Sequence, residues 1–87
     1  MKANLINFIT FPTPFTYKVI CFADINLPEK IVNIVQQYVP GNYFPDIKMS
    51  RKKNFYSVSI TINAINVQQI EILYDALSNI PAVRMVL

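Results

Sequence analysis

One stretch constrains the fold of this chain more than any other: Phe55 to Ala64, FYSVSITINA. Tyr56, Val58, Ile60, Ile62 and Ala64 alternate without a break against Ser57, Ser59, Thr61 and Asn63. Period-two alternation sends one set to each face of a pleated strand. The β-branched Val58, Ile60, Thr61 and Ile62 suit that conformation. The stretch reads as a half-buried strand, apolar inward and hydroxylic outward, long enough to lie at the centre of a sheet.

Phe15 to Asp24 is the second strong strand. Tyr17, Val19, Cys21 and Ala23 share one parity; Thr16, Lys18, Ile20, Phe22 and Asp24 share the other. Lys18 and Asp24 are costly to bury, so the first set is expected in the core. Cys21 then behaves as a small, inert hydrophobe, while Ile20 and Phe22 point to the open face.

Between the two strands, Asn26-Leu27-Pro28-Glu29 predicts a helix start. Asn26 is the expected N-cap, Glu29 completes a capping box and Pro28 sits in the first turn. Ile31, Ile34, Val35 and Tyr38 form the buried stripe of this helix, and Pro40-Gly41 ends it. Tyr43 to Met49 reads as a weaker strand with Ile47 and Met49 inward, placed at an edge because Pro45 cannot donate to a ladder. Ser50 to Asn54 turns into the central strand. Its Arg51-Lys52-Lys53 reads as a solvated tip without a nucleic-acid role, with contact to phosphate or an acidic partner as the alternative.

A second helix follows the central strand. Asn66 is its expected cap, Gln69 completes the box, and Ile65 with Ile70 form a hydrophobic staple. Ile70, Leu73, Tyr74 and Leu77 make its stripe. The last strand, Ala82 to Leu87, places Val83, Met85 and Leu87 on one parity and Arg84 with Val86 on the other.

The order strand, helix, strand, strand, helix, strand predicts an α+β, ferredoxin-like βαββαβ sandwich. It has a four-stranded antiparallel sheet of order 4-1-3-2 with both helices on one face. The two strongest strands then fall in the centre. Residues 15–87 form this domain. Residues 1–14 form an N-terminal arm ending at Phe11-Pro12-Thr13-Pro14, expected to pack Phe8 and Phe11 on the domain's flank.

The residue inventory excludes more than it assigns. At 87 residues the chain is one domain with a modest core, and 53% apolar against 15% charged residues argues for a packed globule. There is no His and a single Cys, which removes the commonest general base and any internal disulfide. The sequence therefore predicts no enzyme, no cofactor and no metal site, and a reducing, cytoplasmic setting. No apolar run approaches the roughly 20 residues that span a bilayer. The net charge of +3 is mild, and a nucleic-acid footprint is normally broader.

Several stretches also resemble a known family. FPTPFTYKV at Phe11 to Val19, Pro-Gly-x-Tyr at Pro40 to Tyr43, YSVSITINA at Tyr56 to Ala64, Leu73-Tyr74 and the terminal VRMVL look like the YbeD-like bacterial proteins, over the whole chain. The resemblance implies a ferredoxin-like domain similar to ACT domains, which are amino-acid-sensing regulatory modules, and brings no assigned activity. ACT-type effector sites resemble an Asp-x-Pro-Gly turn after the first strand. This chain has Asp24-Ile25-Asn26-Leu27-Pro28-Glu29 there, without the glycine that lets a ligand approach the backbone.

These readings together predict a cytoplasmic binding or regulatory module that acts by self-association, as a homodimer, or by docking on a partner protein. A small-molecule effector is left open. The expected interaction surface is the open sheet face, with Lys18, Ile20, Phe22, Ser57, Ser59, Thr61 and Arg84, beside Thr16 and Val86. An apolar centre rimmed by hydroxyls and charges is how such surfaces are built. One alternative is that the N-terminal arm folds back and covers Ile20 and Phe22, leaving a monomer; another is an RNA-binding sheet face. It lacks the two or three stacking aromatics such faces use, since the outward positions read from Phe55–Ala64 are Ser57, Ser59, Thr61 and Asn63.

Overall fold

The computed structural model describes residues 10–87. The elements run β1 (Thr13–Phe22), α1 (Leu27–Tyr38), β2 (Asp46–Met49), β3 (Phe55–Ala64), α2 (Val67–Ser78) and β4 (Val83–Val86). The sheet order is β2-β3-β1-β4, the expected order read from the other edge, and every pairing is antiparallel. The long strands β1 and β3 pair along their whole length, from Thr13 opposite Ala64 to Phe22 opposite Phe55.

Alternation fixed that register. Tyr17, Val19 and Cys21 of β1 and Val58, Ile60, Ile62 and Ala64 of β3 all point into one core. Leu27, Ile31 and Val35 of α1 and Ile70, Leu73 and Leu77 of α2 fill it from the other side. A slip of one residue would expose the whole apolar set, so the pairing is strongly specified. The Tyr17 hydroxyl donates to the Ile70 carbonyl at 2.8 Å inside this core, tying β1 to α2. Burial pushes the Tyr17 phenol above its ordinary value.

Several local expectations require correction. β1 begins at Thr13, within the range assigned to the arm, and ends at Phe22 rather than Asp24. Phe11 packs against the core; the packing expected of Phe8, and the alternative in which the arm covers Ile20 and Phe22, lie outside the described residues. Asn26 makes no side-chain cap and the box with Glu29 does not form. The Asp24 carboxylate is the nearer acceptor: it takes the Asn26 backbone N–H at 2.9 Å, an Asx turn leading into the helix.

At α2, the Asn66 side chain accepts from the Gln69 backbone N–H at 2.8 Å, as expected. The Gln69 side chain, however, accepts from the Ile65 N–H at 2.9 Å, one residue before the cap. Ile65 is exposed while Ile70 is buried, so no buried staple closes there. Tyr38 and Tyr74, expected in the helix stripes, are half exposed. Ile47 pairs with Val58 and Met49 with Tyr56, so both have the inward parity. Both are nevertheless exposed, because β2 is the sheet's edge.

The main correction is at β4. Cys21 faces Val83, Ile20 faces Met85 and Val19 faces Val86. One step along β1 thus matches two along β4, and Arg84 is the extra residue of a β-bulge. The bulge inverts the parity beyond it. Val86 is only 5% exposed and belongs to the core, not to the open face. Met85, expected inward, is 54% exposed. Leu87 is also exposed, and it exchanges backbone hydrogen bonds with Lys18 at 2.8 and 3.1 Å.

Candidate functional site

The helices cover one side of the sheet, and the other side carries the outward parity of β1 and β3. Successive outward residues on a strand are about 7 Å apart and neighbouring strands about 4.8 Å apart, so the pairings lay this face out in rows. The first row holds Phe55 and Phe22, with Arg84 beyond. The second holds Lys48, Ser57, Ile20 and Met85. The third holds Asp46, Ser59 and Lys18, with Leu87 beside them. The fourth holds Thr61 and Thr16. All seven residues expected at the surface, Lys18, Ile20, Phe22, Ser57, Ser59, Thr61 and Arg84, therefore share one face. Val86 leaves it; Phe55, Lys48 and Met85 join.

Three contacts organise the face. Phe22 and Phe55 stack, with ring centroids 5.3 Å apart and planes inclined by 26°. The Arg84 guanidinium carbon lies 5.5 Å from the Phe22 ring centroid, in cation–π range. Because β1 lies between β3 and β4, Phe22 is flanked by Phe55 on one side and Arg84 on the other. At the far end, the Thr16 and Thr61 hydroxyls bond to each other at 2.7 Å. A shallow depression of about 170 Å³ opens beside the stack, lined by Ile20, Lys48, Ser50, Phe55 and Ser57 among others.

Phe55 was legible in the sequence: it has the same odd parity as Ser57, Ser59 and Thr61. Its position as the first residue of β3 hid it. Its arrival puts two aromatic rings, Phe22 and Phe55, on the open face. An RNA-binding sheet needs free ring faces on its central strands, and here the two rings stack on each other while Arg84 occupies Phe22's other flank.

The basic hairpin lies at the aromatic end of the face. Ser50 donates its backbone N–H to the Phe55 carbonyl at 2.9 Å, and its hydroxyl accepts from the Phe55 N–H at 3.2 Å. Arg51, Lys52 and Lys53 therefore project directly beyond the Phe22–Phe55 row, all exposed. Lys53 takes a left-handed conformation, φ 61°, to close the turn.

A larger cleft of about 600 Å³ lies on the opposite side of the sheet, against α2, lined by Phe15, Tyr74, Glu71, Asp75 and Leu87 among others. Size alone does not make it the site. Glu71 and Asp75 are exposed, and no buried side-chain nitrogen or oxygen among the described residues lacks a partner. The cleft's carboxylates are solvated rather than held in a buried, preorganised site.

Reactive chemistry is sparse. Cys21 is fully buried, and burial, reinforced by the nearby Asp24 carboxylate, pushes its thiol above the ordinary value, the opposite of an activated nucleophile. Among the described residues no three His, Cys, Asp or Glu side chains gather into a metal-binding group, and no helix is long and apolar enough to cross a membrane.

The fold is a small α+β, ferredoxin-like βαββαβ sandwich. Similarity to solved structures agrees. A protein of H. pylori solved in solution superposes with a TM-score of 0.78 at 19% identity, over 91% of this chain and 85% of that one. The ACT domain of the GTP pyrophosphokinase of Chlorobium tepidum gives 0.64 at 17% identity, over 86% and 97%. Residues 7–87 match the family described as a protein of unknown function, DUF493, and the chain belongs to that family. It is 52% identical to UPF0250 proteins of Erwinia tasmaniensis and Klebsiella pneumoniae and to the UPF0250 protein YbeD of Salmonella arizonae, each over the full length of both chains.

Proposed function

We propose that this protein is a non-catalytic binding module of the bacterial cytoplasm that docks on another polypeptide through the open face of its sheet. The observation that carries this reading is the apolar cluster of Ile20, Phe22, Phe55 and Met85 on the side of the sheet that, among the described residues, no helix covers. Phe22 is 45% and Met85 54% exposed, Ile20 and Phe55 are half-buried, and the four adjoin on one face rather than lie scattered singly. Burying the remaining exposed part of Phe22 contributes on the order of 1 kcal/mol. The likeness to the ACT domain of a GTP pyrophosphokinase supports a regulatory role by analogy of fold alone.

The test is an Ile20→Ser, Phe22→Ser double variant, followed by circular dichroism for the fold, and by light scattering and affinity capture for association. The expected outcome is a folded protein that has lost its partners or its own dimer. Unchanged mass and unchanged capture in the folded variant would refute the reading. Met85→Ser on exposed β4 makes the same test if the double variant unfolds.

A further inference from the structure

The charged groups of this molecule are segregated by layer. Of the seven described cations, Lys18, Lys48, Arg51, Lys52, Lys53 and Arg84 lie on the open sheet face or on the hairpin that extends it; only Lys30 lies on a helix. Asp46 is the one carboxylate on the open face, whereas the helices carry Glu29, Glu71 and Asp75. Asp24 lies in the loop after β1, accepting from the Asn26 N–H. The mild net charge of the chain therefore hides a strongly basic face. The cations also surround the apolar cluster: Lys48 on the β2 side, Arg84 on the β4 side, Lys18 one row below, and the hairpin above.

We propose that the occupant of this face is an acidic segment of a different protein, carrying an apolar anchor residue; this rests on the docking reading above. Charge complementarity selects it. A second copy bound through the same patch would set six cations against six, a juxtaposition that repels. The depression of about 170 Å³ beside Phe55 is the size of one side chain, and it receives the anchor. Lys48, at its wall, and Arg84, across the Phe22 ring, receive carboxylates on either side. RNA fits less well because Phe22 lies between Phe55 and Arg84, which leaves the outer face of Phe55 for a base where such sheets use two or three rings. An anionic membrane also fits less well: the projecting tip, Arg51-Lys52-Lys53-Asn54, carries no apolar residue to insert.

Selection of a random dodecapeptide library on the immobilised protein tests this, with binders measured by fluorescence anisotropy. The expected binders carry Asp or Glu around a Leu, Ile, Met or Phe. They weaken roughly tenfold or more with Lys48→Glu, Arg84→Glu, a pair of exposed changes that leaves the core intact. Binders without acidic residues, still dependent on Phe22 and Ile20, would overturn the charge inference and leave the docking face standing. No enrichment, or the same binders on the Ile20→Ser, Phe22→Ser variant, would overturn both. Tighter binding of decauridine or of phosphatidylglycerol vesicles than of any selected peptide would overturn the assignment to protein, as would a dimer of the free chain that Lys48→Glu, Arg84→Glu strengthens.

Discussion

Tyr17→Phe isolates one buried hydrogen bond and gives it a pH signature. The hydroxyl donates to Ile70 across the core at 2.8 Å. Removing it does not orphan the Ile70 carbonyl, because that carbonyl is four residues from Tyr74 inside α2 and keeps its helical N–H partner. The loss at neutral pH is therefore the net value of a hydrogen bond, about 0.5–1.5 kcal/mol. At alkaline pH this advantage is lost. The folded-state phenol is raised above its unfolded value, so the stability it contributes is fully present below pH ~10 and is lost as pH rises toward the folded value. At pH 11 the wild type has lost about 1.4 kcal/mol through Tyr17 that the Phe variant has not. Urea denaturation at pH 7 and pH 11 measures both, and effects of the other tyrosines and the lysines cancel in the difference. The wild type should be the more stable at pH 7, with the advantage gone or reversed at pH 11. A difference that is the same at both pH values would refute the coupling of burial to ionisation at this site.

Other outcomes follow from the same core and turns. Ile60→Ala, at a position 2% exposed, should cost about 2–5 kcal/mol by urea denaturation; a change within half a unit would mean that the β3 parity is wrong. Lys53→Gly should be neutral or stabilising by up to ~1 kcal/mol in thermal melts, since glycine takes the left-handed φ of 61° without penalty. Gly41→Ala should destabilise by about 1–3 kcal/mol for the converse reason, at φ 155°, although its Cβ would meet Tyr43 no closer than 3.5 Å. Cys21 should react with a disulfide reagent only at the rate of opening, so that urea below the transition accelerates labelling steeply.

The frame was legible because β1 and β3 each alternate over a long run with polar residues to mark the outer face. That settled the register, the central position of both strands and the outward facing of Ile20 and Phe22. β4 defeated the same reasoning. Val83, Met85, Val86 and Leu87 are apolar on both parities, so nothing local marks Arg84 as the bulged residue. Only the pairing with Cys21, Ile20 and Val19 reveals it. Ile47 and Met49 show a different limit: parity gives the face a residue points to, whereas burial depends on what covers it. At Asn26 two acceptors competed, and the Asp24 carboxylate captured the backbone N–H that the capping box assigns to Glu29. The basic face was hidden because its cations are scattered through the sequence and converge only when β2, β1 and β4 assemble.

The docking face itself is tested most directly by photocrosslinking in the native cell. A benzophenone side chain placed at Phe22, and in a parallel strain at Ile72 on the exposed side of α2, samples the two layers of the fold. The probe at Phe22 should capture a discrete partner whose crosslinked peptide is acidic, and the probe at Ile72 should not. Capture at Ile72 with none at Phe22 would place the binding surface on the helices and contradict this account.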